Sequence, residues 1–361
     1  MPMKPLIGHE RERQRVLQAL AAGRLPQMVL LTGPQGIGKQ RFALWLAQAI
    51  LCEAESGKPC GVCSPCRQVV GLTHPDLHWF MPVPRPKGGE PDRQVEELEE
   101  MYGNLLEERR RDPLYQPADG MAGHFVATAR LLQRNAALTP VAGRRKVFLI
   151  AAAERLVPQE SSPEAANALL KLLEEPPEDS QFLLTTVDPN RLLPTIRSRV
   201  VPLRLGRLTD AEVEKFLAEH AGLKDADLRE RVSRAGGSIG KALAAGEGRN
   251  KASAAGLDLM RAIRSGAAAR AERALKQGPW AARGDFTAML DALAGFLGDA
   301  ARNGTGEAAR QGLPEELRGD WTVDSLVQAA QRVAVAREAA HGNVNPQLLI
   351  AVLAEELAEV L

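Results

Sequence analysis

Apolar residues in the first 205 positions gather in short unbroken runs; beyond Leu205 those runs stop and apolar positions take helical spacing. The run Met28–Thr32 (MVLLT) ends in a Gly-rich turn and predicts a buried strand. Arg41–Leu51 repeats its apolar residues at the spacing of a helix face. Asp76–Phe80 (DLHWF), Lys146–Ile150 (KVFLI) and Phe182–Thr186 (FLLTT) are further strand-length runs. Val201–Leu205 is a weaker one, because Pro202 lacks a ladder donor and suits an edge. Helical patterns separate the runs, notably Pro163–Leu173. This alternation predicts an α/β fold, a parallel sheet covered on both faces.

Two regions break the alternation. A Pro/Gly-flanked, charged insert spans 85–120, and its centre, QVEELEEMYGNLLEERRR, reads as a solvated helix on a surface excursion. After Leu205, Thr209–Gly222 and Ala226–Ala245 read as short helices, with Gly236-Gly237 as a break. From about Asn250 the chain is Ala-rich and helical. Asn345-Pro346 reads as an N-cap followed by proline at the first helical position, opening an amphipathic helix over Gln347–Leu361.

Length and composition narrow the picture. The 361 residues suffice for two or three domains. Aromatics are only 4 %, so the cores must be built from Leu, Ala, Val and Ile. A net charge of +1 gives no whole-molecule attraction to nucleic acid or anionic membrane. The N-terminal MPMKPLIGHERER has no apolar core of a secretory signal, and the longest apolar run, Val147–Ala153, is too short to span a bilayer. A cytosolic, reducing location is expected, which disfavours disulfides among the four cysteines.

Gly33-Pro34-Gln35-Gly36-Ile37-Gly38-Lys39-Gln40 matches the phosphate loop G-x-x-x-x-G-K and then fails at the Ser/Thr. Gly33, Gly36 and Gly38 would let backbone N–H groups converge on phosphate, and Lys39 would reach the outer phosphates. The missing hydroxyl is the one that coordinates Mg²⁺. A loop of this sequence either binds phosphate or stands as scaffold that binds nothing. The strand KVFLI runs into Ala151-Ala152-Ala153, where an acidic magnesium ligand would stand, and Glu154 comes late and is expected to point elsewhere. Two magnesium-related losses make ATP hydrolysis by this chain an unexpected activity.

Cys52, Cys60, Cys63 and Cys66 have the spacing C-x7-C-x2-C-x2-C and suit a closed, structural Zn²⁺ site in a surface knob over 52–66. A redox dithiol is the lesser alternative. His74 and His78 lie near the knob, but four thiolates already complete a zinc shell. Glu174-Glu175, before Pro176-Pro177, reads as a solvated pair rather than an acid/base dyad.

A phosphate-loop helix, a four-cysteine knob and then Thr73-His74-Pro75-Asp76 resemble bacterial clamp-loader subunits of the AAA+ type. So do Glu164–Pro177 (EAANALLKLLEEPP), Phe182–Arg199 (FLLTTVDPNRLLPTIRSR) and Asn343–Leu349 (NVNPQLL). The resemblance is specific over about 5–205 and does not include the 85–120 insert. It implies an AAA+ P-loop domain over 1–205, a small helical lid over 206–249 and an all-α collar for oligomerisation over 250–361.

Within that family, gamma/tau subunits hydrolyse ATP and the delta-prime type generally does not. Gln40, Ala151-Ala152 and Gly240, which stands where active subunits carry a nucleotide-sensing Arg, all depart toward the delta-prime type. Thr195–Val200 (TIRSRV) is similar to the family's Ser-Arg-Cys motif, with Val200 for Cys, so Arg199 is implied as an arginine finger acting in trans; alone it would read as a surface salt bridge. The implied partners are gamma/tau and delta subunits, with the sliding clamp and primed DNA reached through the complex and no membrane. An active gamma/tau-type ATPase is the alternative. A nucleic-acid-binding module built on the zinc knob has little support from the charge and the few aromatics.

Overall fold

The computed structural model describes residues 3–87, 89–113, 122–156, 169–170, 172–243, 247–278, 283–303, 319, 321–340 and 344–361. Five parallel strands make one sheet: β1 (Met28–Thr32), β2 (Leu77–Phe80), β3 (Lys146–Ile150), β4 (Ser180–Thr186) and β5 (Val201–Arg204), in the order β2-β3-β4-β1-β5. Every residue of β3 and β4 is buried, as strands covered on both faces must be. β5 is an edge, and Pro202 sits on it opposite Leu30. The scarce aromatics concentrate here. In register across β2, β3 and β4, His78 stacks on Phe148 at 4.9 Å and Phe148 on Phe182 at 5.0 Å between ring centres.

Helix α1 (Glu10–Ala21) precedes β1; α2 (Lys39–Leu51) follows it and buries Phe42, Leu44 and Leu46 against the sheet. Helix α3 (Ser64–Val70) closes the cysteine segment. The charged insert does hold a helix, α4 (Pro91–Arg111), but the helix is not solvated all round. Val95, Leu98 and Tyr102, spaced by three and four residues, bury one face in the main core, and Arg109 lies over the Trp79 ring at 4.8 Å. Helix α5 (Val126–Ala137) packs beside it. Most of the helix expected over Pro163–Leu173 lies outside the described residues; 169–170 and 172–174 are helical.

Three apolar clusters form among the described residues. The first, from Val16 to Leu205, is the sheet core. The second, around Val213, Phe216, Leu217 and Ala242, holds α7 (Asp210–His220), α8 (Asp225–Ala235) and α9 (Ile239–Leu243), which follow the short α6 (Pro194–Arg197). Gly236 and Gly237, at φ of 52° and 73°, make the expected break between α8 and α9. These two clusters share one compact unit that runs to Leu243.

The third cluster belongs to a second unit made of α10 (Glu247–Ser265), α11 (Ala267–Leu275), α12 (Arg283–Asn303), α13 (Val323–Ala339) and α14 (Pro346–Val360). Leu290, Leu293, Val333 and Leu353 lie at its centre. Asn345 Oδ1 accepts from Gln347 N at 2.9 Å, the cap that opens α14. No helix among the described residues is long and apolar enough to cross a membrane.

Candidate functional site

The loop Gly33–Gln40 leaves the C-terminal end of β1 and enters α2. Gly36 and Gly38 take φ of 76° and 96°, a region that side chains disfavour. Lys39 is the first residue of α2, and only 8 % of it is exposed. Its Nζ donates to the loop's own carbonyls, Gly33 O at 2.8 Å and Pro34 O at 2.7 Å. Burial lowers the pKa of this amine to about 8, and the charge of Glu154 opposes the shift. Gln40, half-buried, supplies no hydroxyl.

The start of α9, with Ser238 just before it, closes on this loop. Ser238 Oγ donates to Gln35 O at 2.9 Å, and Gly240 N donates to Gly36 O at 2.9 Å. A Cβ at Gly240 would lie 2.7 Å from Gly36 Cα, so the two backbones touch where neither residue has a side chain. An arginine at 240 would have to push the helix off the loop.

The end of β3 carries Ala151 and Ala152. Ala151 O accepts from His124 Nε2 at 2.7 Å, and Ala152 N donates to Thr185 Oγ1 at 3.1 Å at the end of β4. Ala152 has φ of 51°, and a single 3-10 turn, Ala153–Leu156, follows. Glu154 lies in that turn. The carboxylate is 6 % exposed, acts on Lys39, and its Oε2 has no hydrogen-bond partner among the described residues. An acidic group therefore does stand in the field of the loop lysine, delivered four residues past the strand.

Arg199 follows α6. Its Nη1 donates to Thr195 O at 2.7 Å and its Nη2 to Glu174 Oε1 at 2.8 Å. Glu174 is exposed, as expected, but it is an ion-pair partner rather than merely solvated. Val200, in the place of the motif's Cys, is buried in the sheet core, a role that a small apolar side chain fills.

The four cysteine sulfurs lie within 4.8 Å of one another, and none is in a disulfide. Cys60 Sγ lies 3.9 Å from Cys66 Sγ, and Cys63 Sγ 3.9 Å from Cys52 Sγ. Four sulfurs at about 2.3 Å from one zinc would stand about 3.8 Å apart, so the cluster fits the ion. Backbone N–H groups of Cys60 and Cys63 donate to Cys52 Sγ and Cys60 Sγ, each at 3.4 Å. His74 is buried, its Nδ1 accepts from Asp76 N at 3.1 Å, and it lies outside the cluster.

A protein-family profile described as DNA polymerase III, delta subunit, matches residues 8–209. The chain belongs to this family. The DNA polymerase III subunit tau of Escherichia coli is 32 % identical over 216 residues, 60 % of this chain and 27 % of that protein. The DNA polymerase III subunit delta' of Pseudomonas aeruginosa is 34 % identical over 173 residues, 48 % of this chain and 40 % of that one. The chain thus spans about a quarter to two-fifths of these relatives. A solved gamma subunit-related protein of Thermotoga maritima aligns over 95 % of this chain and 99 % of its own, with 16 % identity and a TM-score of 0.39.

The sheet unit of this DNA polymerase III family member is an AAA+ P-loop fold, with a helical C-terminal region after it. The structure gathers Gly33, Gly36, Gly38 and Lys39 with Glu154, Ser238 and Gly240 around one loop. Arg199 takes its partners from Glu174 and Thr195 instead, and Cys52, Cys60, Cys63 and Cys66 form a separate cluster. Sequence reasoning missed Ser238 as a loop contact and Glu174 as the partner of Arg199. Ser238 stands two residues before Gly240, and Glu174 was read only as a solvated acid.

Proposed function

We propose that this chain is a non-hydrolysing, delta-prime-like subunit of a bacterial clamp loader. It assembles with gamma/tau and delta subunits, helps to place the sliding clamp on primed DNA, and presents Arg199 to the nucleotide of a neighbouring subunit. Residues 1–205 serve as the AAA+ domain, 206–249 as its lid and 250–361 as the oligomerisation collar. Zinc bound by Cys52, Cys60, Cys63 and Cys66 fastens the knob and does no chemistry on substrate.

The observation that carries the reading is the backbone contact of Gly36 with Gly240, 2.9 Å from N to O. It supports a lid seated on the loop with no sensing arginine between them. The absent hydroxyl at Gln40 and the absent strand-end acid at Ala151 point the same way. Loss of magnesium ligands at two places removes the charge stabilisation that phosphoryl transfer needs, while Arg199 needs no magnesium of its own.

One observation favours the alternative, an ATP-hydrolysing gamma/tau-type subunit: Lys39 is intact and has a buried carboxylate, Glu154, in its surroundings. A turnover assay on the purified chain decides. Mg²⁺-dependent ATP hydrolysis at the rate of an active subunit would overturn the delta-prime reading. The same protein titrated with ATP, with and without Mg²⁺, tells scaffold from binding site.

A further inference from the structure

Arg199 is held from two directions. Its Nη1 bonds to Thr195 O, one turn back in its own segment, and its Nη2 bonds to Glu174 Oε1, 25 residues away in sequence. Two anchors on separate segments fix both the position and the plane of a guanidinium. Arg197, two residues earlier, has only a neutral partner among the described residues, Asn190 Oδ1 at 3.2 Å. The one arginine implied as a finger is therefore the one of this pair that meets a carboxylate.

Glu174 precedes a turn that is tied to the sheet. It ends the helical stretch 172–174, and Pro176-Pro177 follow after Glu175. The turn after it is tied to the sheet: Ser180 N donates to Pro177 O at 2.9 Å, and Gln27 Nε2, just before β1, donates to Ser180 O at 2.9 Å. The pair is neither buried nor free, with side chains 31 % exposed at Arg199 and 47 % at Glu174. Part of the guanidinium remains open to a third group.

We propose that Glu174 is the positioning residue for Arg199: it holds the guanidinium in the place and plane from which it meets the neighbour's γ-phosphate. This rests on the arginine-finger reading. A finger contributes by being in place before charge develops, so an anchor that removes its freedom raises turnover without adding a contact to the nucleotide. Glu174 does not touch nucleotide and acts only through Arg199.

The test uses the ring reconstituted with gamma/tau- and delta-type subunits and reads kcat and KM for ATP in the presence of clamp and primed DNA. Arg199→Ala should slow turnover strongly. Glu174→Gln, which keeps shape and removes charge, should lower kcat about fivefold, the scale of an exposed ion pair, with KM held within about twofold. Glu174→Asp should recover part of the loss, and Glu174→Gln joined to Arg199→Ala should turn over no more slowly than Arg199→Ala alone. If Glu174→Gln matches or exceeds the unaltered ring while Arg199→Ala is slow, the positioning role is wrong and the finger stands. If Arg199→Ala is itself without effect, the finger reading fails and the positioning role fails with it. A Glu174→Gln chain that melts earlier or leaves the ring would show a structural role, which also overturns the proposal.

Discussion

Gly240 N donates to Gly36 O at 2.9 Å, and a methyl group added at either glycine would fall within about 3 Å of the other's Cα. The contact joins the second apolar cluster to the phosphate loop through backbone alone. Gly240→Ala should therefore cost stability by overlap, about 1–3 kcal/mol by analogy with overpacked cores. Gly206→Ala, which meets nothing within 4 Å, is the matched control and should change little. Urea unfolding of the two variants measures the difference. Equal midpoints for both would mean that α9, which carries Gly240, does not sit on the loop in solution.

Asp76 offers a second stability test. It is 1 % exposed, and its carboxylate accepts from Val141 N, Ala142 N and Gly143 N at 2.6, 2.8 and 3.0 Å. Those donors belong to the turn that feeds β3, so the acid of the Thr-His-Pro-Asp motif fixes where a central strand begins. Asp76→Ala strands three donors at once and should cost about 3 kcal/mol or more. Asp76→Asn keeps some of the bonds and should cost less. A loss below about 1 kcal/mol for the alanine variant would show that water replaces the carboxylate.

The strands were legible because each lies in a short, mostly apolar run, and β5 was legible as an edge from Pro202 alone. The cap at Asn345 follows from side-chain chemistry that acts over two residues. The burial of Glu154 was not legible, because it follows Ala152, whose positive φ the alanine side chain does not announce. The buried face of α4 was visible in the spacing of Val95, Leu98 and Tyr102 but was outweighed by the surrounding glutamates. Glu174 with Arg199, and Ser238 with Gln35, are pairings across the fold. No local period encodes them, and only the closed sheet brings them together.

The cysteine cluster should hold one zinc per chain, measured by elemental analysis after dialysis against a mild chelator. Cys63→Ser removes one of four ligands and should lower the zinc content and the melting temperature together, since a structural site contributes its binding energy to folding. A zinc content unchanged by Cys63→Ser would remove the four-thiolate assignment.

Lys39 sets a pH dependence whose sign is opposite to that of a paired lysine. Its folded pKa, about 8, lies below the ordinary lysine value of 10.5, because burial disfavours the charged amine. Between those two values the unfolded chain binds more protons than the folded one, so stability rises with pH across that window. Below about pH 8 the full cost of burying the charge is present, on the order of 3 kcal/mol for a shift of this size. Lys39→Met removes the titration, and the difference between the two proteins isolates it from the other lysines. That difference in unfolding free energy should move in favour of the unaltered chain as pH is raised from 8 toward 10.5. Glu154 works against burial, so Glu154→Gln should lower the Lys39 pKa further and shift the start of the rise to lower pH. A Lys39 titration indifferent to Glu154→Gln, followed by NMR of the lysine side chain, would mean that the carboxylate does turn away from the loop. The acid that lies four residues past β3 would then have no part in the site.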